Sequence, residues 1–207
     1  MHARGHNRCT DAILALSRQG PILIYGEAAT GKTLTSLLLA KLLYRAGVVD
    51  EIHVITTEPQ STIPAASQIL PPSANVHLAH STFDIIEYLV DNLSAWHKGV
   101  VLVVDSLTAP FRFEVGYTPD ESVRSLAFVA AMLYRITRLG TIVIAVSQVH
   151  EKDDVIEPIA KSILEKYFTI RFRSMRISRK ERLMISETNR VIIRLSLHPL
   201  PDVQCGD

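Results

Sequence analysis

The sequence has only two cysteines, no long apolar run and almost no net charge. Its 207 residues are 47% hydrophobic with a net charge of +1, which suits one domain with a substantial core. No apolar stretch is long enough to cross a bilayer. The basic start at residues 1–8 lacks an apolar segment, so we expect no secretory signal. Cys9 and Cys205 lie at opposite ends and form no metal-ligand cluster, which favours a cytoplasmic protein with two thiols.

The near-neutral total hides a basic C-terminal region. Residues 161–194 hold ten lysines and arginines against three acids, whereas residues 1–150 hold eleven against twelve. Such an excess suits a surface that faces nucleic acid. A solvated edge of a β-sheet, where positive charge opposes aggregation, accounts for it equally well. Charge alone leaves both interpretations open.

Residues 26–33, GEAATGKT, follow the pattern of a phosphate-binding loop, G-x-x-x-x-G-K-[ST]. Gly26 and Gly31 permit backbone angles that a Cβ opposes, so N–H groups can turn inward around phosphate oxygens. Lys32 brings a mobile positive charge to the β- and γ-phosphates, and Thr33 offers a hydroxyl to Mg²⁺. The predicted nucleotide-binding residues are Gly26, Glu27, Ala28, Ala29, Thr30, Gly31, Lys32 and Thr33.

Apolar runs and helix-forming stretches alternate along the chain. Runs that predict parallel strands lie at 21–25, 51–56, 75–79, 100–105 and 140–147. Stretches that predict helices lie at 34–44, 63–70, 83–96 and 119–138, with a loop from residue 57 to 64. After residue 168, alternating runs at 168–173, 182–186 and 191–197 predict an antiparallel meander.

These elements predict an α/β fold, a mostly parallel sheet flanked by helices and extended by C-terminal antiparallel β-hairpins. We expect a short N-terminal segment at 1–20, one core at 21–200 and a tail at 201–207. No internal repeat and no low-complexity segment occurs.

Three polar residues follow the predicted strands, where a parallel sheet presents its ligand sites. Asp105 ends a run of five apolar residues and suits a Mg²⁺ ligand beside Thr33, or a cap of the next turn. Glu58 suits a residue that activates a water molecule, although its position alone favours a surface acid. Gln148 suits an amide that senses the terminal phosphate, or merely a polar residue that leaves a strand.

Two histidines, His77 and His80, form an H-x-x-H pattern across a predicted strand end. No third ligand is evident in the sequence, so the pair is interpreted as structural or solvated rather than as a metal site.

The order of these motifs resembles the RecA/RadA recombinase superfamily. The pieces are GEAATGKT, then TTEP at 56–59, then VVDSLTAPFRFE at 103–114 and AVSQV at 145–149. The likeness covers about residues 20–197 and is greatest to the short archaeal RadA paralogues (RadB- or RadC-like), which keep the ATPase core alone. It implies a RecA-like P-loop NTPase core, ATP and Mg²⁺ as cofactors, a cytoplasmic location and assembly through neighbouring cores.

The resemblance also implies roles for individual residues. Glu58 matches the catalytic glutamate of the family, and Gln148 matches its γ-phosphate-sensing amide. Lys32 takes its usual place on the phosphates, and Thr33 and Asp105 theirs at Mg²⁺. An accessory or regulatory role in recombinational repair follows, with weak ATPase activity and with a RadA recombinase or a second copy of the chain as possible partners.

The sequence departs from the family in both expected DNA loops. The first, VGYTPDE at 115–121, is acidic and lacks the expected arginine. The second, at 149–158, has no glycine and four acids against one lysine, and acids repel DNA phosphates. If DNA is bound, the better candidates are Arg171, Arg173, Arg176, Arg179, Lys180 and Arg182. Arg171 and Arg173 are alternatively candidates to reach the ATP of a neighbouring subunit. A KaiC-like signalling ATPase that never contacts DNA is the alternative function.

Overall fold

The computed structural model describes residues 8–152, 155–187, 191–197 and 201–206. The helices in this part are α1 (Arg8–Ser17), α2 (Lys32–Arg45), α3 (Pro59–Ile69), α4 (Thr82–Asp91), α5 (Ala109–Glu114), α6 (Pro119–Arg138) and α7 (Lys161–Tyr167). The strands are β1 (Ile22–Gly26), β2 (Glu51–Thr56), β3 (Asn75–Leu78), β4 (Val100–Asp105), β5 (Ile142–Ser147), β6 (Val149–Lys152), β7 (Val155–Pro158), β8 (Ile170–Arg176), β9 (Glu181–Ser186), β10 (Ile192–Ser196) and β11 (Asp202–Gly206).

A sheet of nine described strands, in the order β11-β10-β9-β8-β1-β5-β4-β2-β3, lies between two helical layers. Strands β4 and β5 consist almost wholly of valine, isoleucine and other apolar residues and are buried along their full length. Alternate side chains of a strand face opposite layers, so Ile22 and Ile24 pack toward α1, α2 and α3 while Leu23 packs toward α4, α6 and α7. Continuous apolar strands are therefore required, as in other covered parallel sheets.

The strands from β8 to β3 run parallel to one another in the central part of the sheet. Their carboxyl ends lie at a single edge, where β1 leads into the phosphate loop and β2, β4 and β5 end near it. A parallel sheet with helices on both faces binds ligands at this edge. The α/β fold class predicted from the sequence is confirmed.

The C-terminal strands add an antiparallel extension to this sheet. Strand β8 pairs with β1 in parallel and with β9 in antiparallel orientation, and β9, β10 and β11 continue antiparallel. The predicted tail at 201–207 is therefore wrong over residues 202–206, which form β11. The buried Val203 opposite Leu195 explains the pairing, because an apolar side chain gains by covering the end of the core.

Several connections differ from their predictions. Helix α3 begins at Pro59, where the predicted loop begins, since proline lacks only an N–H that the first helical turn leaves unpaired anyway. Residues 149–152 and 155–158 form a hairpin where the second DNA loop was expected, and Asp153 and Asp154 of that loop lie outside the described residues. Helices α1, α5 and α7 were not predicted, because each is short and its apolar spacing is weak.

Cys9 and Cys205 form a disulfide, with their Cα atoms 4.9 Å apart. The prediction of two free thiols is thus wrong, since pairing of β11 with β10 carries Cys205 to helix α1, where Cys9 is fully buried. The cytoplasmic location stays a prediction. Among the helices that the structure describes, none combines the length and apolarity needed to cross a membrane.

Candidate functional site

The phosphate loop, residues 26–33, joins β1 to α2. Gly31 has φ 85° and ψ 18°, a left-handed conformation that favours glycine. A Cβ at Gly31 would also lie 2.8 Å from Leu195 Cδ2, and one at Gly26 would lie 2.4 Å from the carbonyl oxygen of Ser174. Both glycines are therefore required by the close approach of β8 and β10 as well as by the turn itself.

Lys32 lies at the start of α2 with its ammonium folded across the loop. Its Nζ donates to the carbonyl oxygens of Gly26 at 2.9 Å and Glu27 at 2.7 Å. Burial lowers the pKa of Lys32 below its ordinary value, and the carboxylates of Asp105, Glu58 and Glu27 oppose part of that shift. An anion with several oxygens could replace the two carbonyls as acceptors without moving the backbone.

Asp105, at the end of β4, is the buried acid of the site with 1% of its surface exposed. Thr62 on α3 donates its hydroxyl to Asp105 Oδ2 at 2.7 Å, and the Thr33 side chain also hydrogen-bonds the carboxylate. Burial raises the pKa of Asp105, while the hydrogen bonds from Thr62 and Thr33 lower it. The peptide bond that follows Asp105 is cis.

The side chains of Thr33 and Asp105 offer hard oxygen donors next to the phosphate loop, a donor set that fits Mg²⁺ shared with phosphate oxygens. Within the described part of the chain, no group of three or more His, Cys, Asp and Glu residues could hold a metal by itself. His77 stacks on Tyr88 at 4.3 Å, and the His80 backbone N–H donates to Asp84, so both sit in structural contacts.

Glu58 and Gln148 meet at the rim of the site. Gln148 Nε2 donates to Glu58 Oε1 at 2.7 Å, although 90 positions separate them in the chain. The Gln148 backbone N–H donates to Thr108 Oγ1 at 2.9 Å, and Glu58 lies just beyond the end of β2. The ends of β2 and β5 therefore bring together the two residues that were predicted separately.

A cavity of about 580 Å³ joins these parts. Its lining includes Gly26, Ala28, Ala29, Gly31, Lys32, Thr33, Glu58, Asp105, Arg112 and Gln148. Glu27 and Thr30 do not line it: Glu27 is exposed, and the buried Thr30 donates its hydroxyl to the Glu27 carbonyl oxygen at 2.8 Å. The cavity thus presents cations, buried acid and turned-in backbone around one volume.

Two residues of the site were not singled out by sequence reasoning. Thr62 fixes the Asp105 carboxylate, but its position in an apparent loop gave no signal. Arg112 lines the cavity from α5 and has no ion pair or side-chain hydrogen bond among the described residues. Its place in the FRFE run was a signal that the sequence offered. Glu114 in the same run accepts from the Thr82 backbone N–H at 2.7 Å.

The six basic candidates for DNA contact fall into different environments. Arg176, Arg179 and Lys180 are exposed around the β8–β9 turn, residues 177–180. Arg171 is held by Glu187 at 2.7 Å and by Glu165 at 3.8 Å, and Arg182 is 8% exposed with its guanidinium on the phosphate loop. Arg173 is half-buried and lines a separate cavity beside Tyr25, whose pKa is raised by burial and by the Glu187 carboxylate.

The structure is similar to the solved ATPase domain of a DnaB-like helicase, with a TM-score of 0.59 over 87% of this chain and 82% of that chain. Sequence identity is 16%, so the likeness shows the fold, which is a RecA-like ATPase core. No protein-family model and no curated protein matches the sequence. The coarser part of the predicted resemblance, a RecA-like P-loop fold, is thereby confirmed, and the RadA paralogue assignment stays a prediction.

Proposed function

We propose that the chain is a Mg²⁺-dependent ATPase. The observation that carries this proposal is the contact between Glu58 and Gln148 at the rim of the cavity that Lys32 and Asp105 line. A phosphate loop alone serves kinases, GTPases and ATPases alike. An acid and an amide held together beyond the terminal phosphate position supply what hydrolysis needs, a base or orienter for water and a group that responds to its consumption.

The residues divide the work by position. The loop amides and Lys32 bind the phosphates, and Thr33 and Asp105 hold Mg²⁺, which neutralises charge that develops on the phosphate oxygens. Glu58 accepts a proton from, or orients, the attacking water. Gln148 donates to Glu58 in the present arrangement, and a terminal phosphate within its reach would compete for the same amide. Its contact with Glu58 would therefore depend on the nucleotide.

The biological setting we propose is an accessory role in homologous recombination, as a RadA-like paralogue. Single-stranded DNA would bind through the exposed cations of the β8–β9 turn, Arg176, Arg179 and Lys180. Arg171 and Arg182 are poorer candidates, because acids hold the first and the second is buried. A RadA recombinase or a second copy of the chain is the proposed protein partner.

A second candidate is a KaiC-like signalling ATPase that does not act on DNA. The β6–β7 hairpin favours it, since an ordered hairpin with four acids within residues 149–158 occupies the position where a DNA-binding member would have a glycine-rich loop. Binding of a fluorescent oligothymidylate at low salt separates the two functions. We expect binding for the recombination role and none for the signalling role.

The ATPase proposal is tested with Lys32→Ala and a control on the same helix, Lys41→Ala. Lys41 does not line the cavity. We expect Lys32→Ala to weaken ATP binding by at least 30-fold (about 2 kcal/mol, the order expected for a charge-assisted hydrogen bond). Lys41→Ala should bind as the parent does. Isothermal titration with Mg-ATP measures both, and equal affinities in the two variants would contradict the site.

A further inference from the structure

Arg182 is a buried cation without a carboxylate partner among the described residues. Its guanidinium instead donates to backbone carbonyl oxygens on two separate segments. Nε donates to Ala29 in the phosphate loop at 3.1 Å, and Nη1 donates to Ser178 at 2.5 Å and to Glu181 at 3.0 Å. One side chain thus connects the β8–β9 turn to the nucleotide-binding backbone.

The loop end of this connection is a place where the backbone needs support. Ala29 has φ 58°, a left-handed conformation that costs a residue with a Cβ about 1 kcal/mol. The carbonyl of the next residue, Thr30, accepts from Ser174 Oγ on β8 at 2.9 Å. Gly31 then packs under Leu195 and the Arg182 methylenes. The C-terminal strands therefore hold three successive residues of the loop.

The turn end of the connection is also ordered. Ser178 Oγ accepts from the backbone N–H groups of Lys180 and Glu181, both at 3.1 Å. The N–H groups of Ile177 and Ser178 donate to the Glu181 carbonyl at 3.2 Å. The turn thereby fixes the two carbonyl oxygens that receive Arg182 Nη1, even though the side chains of the turn are exposed.

We propose that Arg182 is a positioning residue for the phosphate loop and that the β8–β9 turn controls nucleotide affinity through it. The inference rests on the proposed function in that the loop binds a nucleotide. A planar guanidinium suits this role because its donors point in fixed, separate directions, whereas an ammonium is a single point that serves one segment at a time. Loosening either end should leave the Ala29 conformation unsupported.

The first experiment compares Arg182→Ala and Arg182→Lys with Arg194→Ala, an exposed arginine on the adjacent strand. Amide hydrogen exchange is measured without nucleotide, so that a failure of ATP binding in the parent does not affect the result. We expect exchange in residues 26–33 to rise at least tenfold in both Arg182 variants, with α6 unchanged. Parent-like exchange there in folded Arg182→Ala, or an equal rise over the whole chain, would overturn the proposal.

The second experiment is a double-mutant cycle on Mg-ATP affinity with Ser178→Ala, Arg182→Ala and the double variant. Arg179→Ala is the control at the turn, because it removes an exposed charge without touching the hydrogen bonds of Ser178. We expect Ser178→Ala to weaken ATP binding about threefold in the parent and not at all when Arg182 is alanine. Additive effects, or no effect of Ser178→Ala in a parent that binds ATP, would overturn the control by the turn. A parent that does not bind Mg-ATP would contradict the proposed function, while the exchange data still decide the role of Arg182.

Discussion

Glu58 and Gln148 share one hydrogen bond, and each explains the orientation of the other. Glu58 is partly exposed and would otherwise be free to rotate away from the cavity. The amide of Gln148 holds the carboxylate toward Lys32 and Asp105. Its second carboxylate oxygen keeps its capacity to accept from a water molecule. The pair therefore gives the cavity a direction, with phosphate contacts at one end and water activation at the other.

At the residue scale, Glu58→Gln separates binding from hydrolysis. The substitution preserves size but removes the charge and basicity, so we expect turnover to fall about 100-fold, in the range of general-base contributions. Affinity for Mg-ATP should change less than threefold, because Glu58 does not contact the loop. Phosphate release under single-turnover conditions measures the first quantity and calorimetry the second.

Glu87→Gln is the matched control, since it removes an acid from α4 that does not line the cavity. If Glu58→Gln turned over ATP at the parental rate, Glu58 would have no part in the chemistry.

At the element scale, the phosphate loop can be perturbed at a glycine with a matched control. Gly31 and Gly47 both have positive φ, 85° and 67°, but a Cβ at Gly47 meets nothing within 4 Å. Gly47→Ala should therefore cost only the backbone term, about 1–2 kcal/mol of unfolding free energy. Gly31→Ala adds a clash with Leu195 and should cost about 1–3 kcal/mol more.

Urea denaturation measures this difference, and Mg-ATP titration adds a functional comparison. We expect Gly31→Ala to weaken ATP binding at least tenfold and Gly47→Ala to leave it unchanged. Equal losses of stability in the two variants would mean that the C-terminal strands do not press on the loop.

The β8–β9 turn is the element that carries the proposed contact with DNA. Replacing Arg176, Arg179 and Lys180 by alanine removes three exposed charges, so the slope of log affinity against log salt should shrink by about 2 for single-stranded DNA. The control variant removes Arg124, Arg135 and Arg138 from α6, which are also exposed. Fluorescence anisotropy with an oligothymidylate gives both slopes, and equal slopes in the two triple variants would remove the turn from the DNA interface.

How far sequence reasoning reached also depends on the element. The continuous apolar runs of β4 and β5 predict covered strands, because both faces of a parallel strand need apolar residues. The loop glycines and Lys32 follow from the local demands of phosphate binding. Thr62 could not be predicted, since its role requires α3 to begin at Pro59 and to lie over the end of β4. The contacts of Arg182 are likewise invisible before β9 is paired with β8 beside the loop.

At the scale of the whole molecule, the C-terminal strands serve both the core and the site. Met184, Ile193, Leu195 and Val203 complete one apolar layer, and Ser174 and Arg182 reach the loop from the same strands. Stability and nucleotide binding are consequently not independent in this part of the chain. A substitution that loosens β9 should affect both.

The disulfide between Cys9 and Cys205 links α1 to β11 across 196 positions. Such a long loop restricts the unfolded chain strongly, so Cys9→Ser should lower the free energy of unfolding by about 2–5 kcal/mol. Affinity for Mg-ATP should be unchanged, as neither cysteine lines the cavity. Urea denaturation with and without reductant measures the effect, and Cys9→Ser itself should not respond to reductant. Two alkylatable thiols in the native, non-reduced protein would contradict the bridge.

The same pairing of α1 with β11 has a topological consequence. The Cα atoms of Cys9 and Cys205 are 4.9 Å apart, which a few residues of peptide linker would span. The described chain is thus close to a ring, and a ring can be opened at another surface turn, such as the one at Gly47, without moving β1, the phosphate loop or α2 relative to one another. The order in which the elements are synthesised is then separable from the arrangement that forms the cavity.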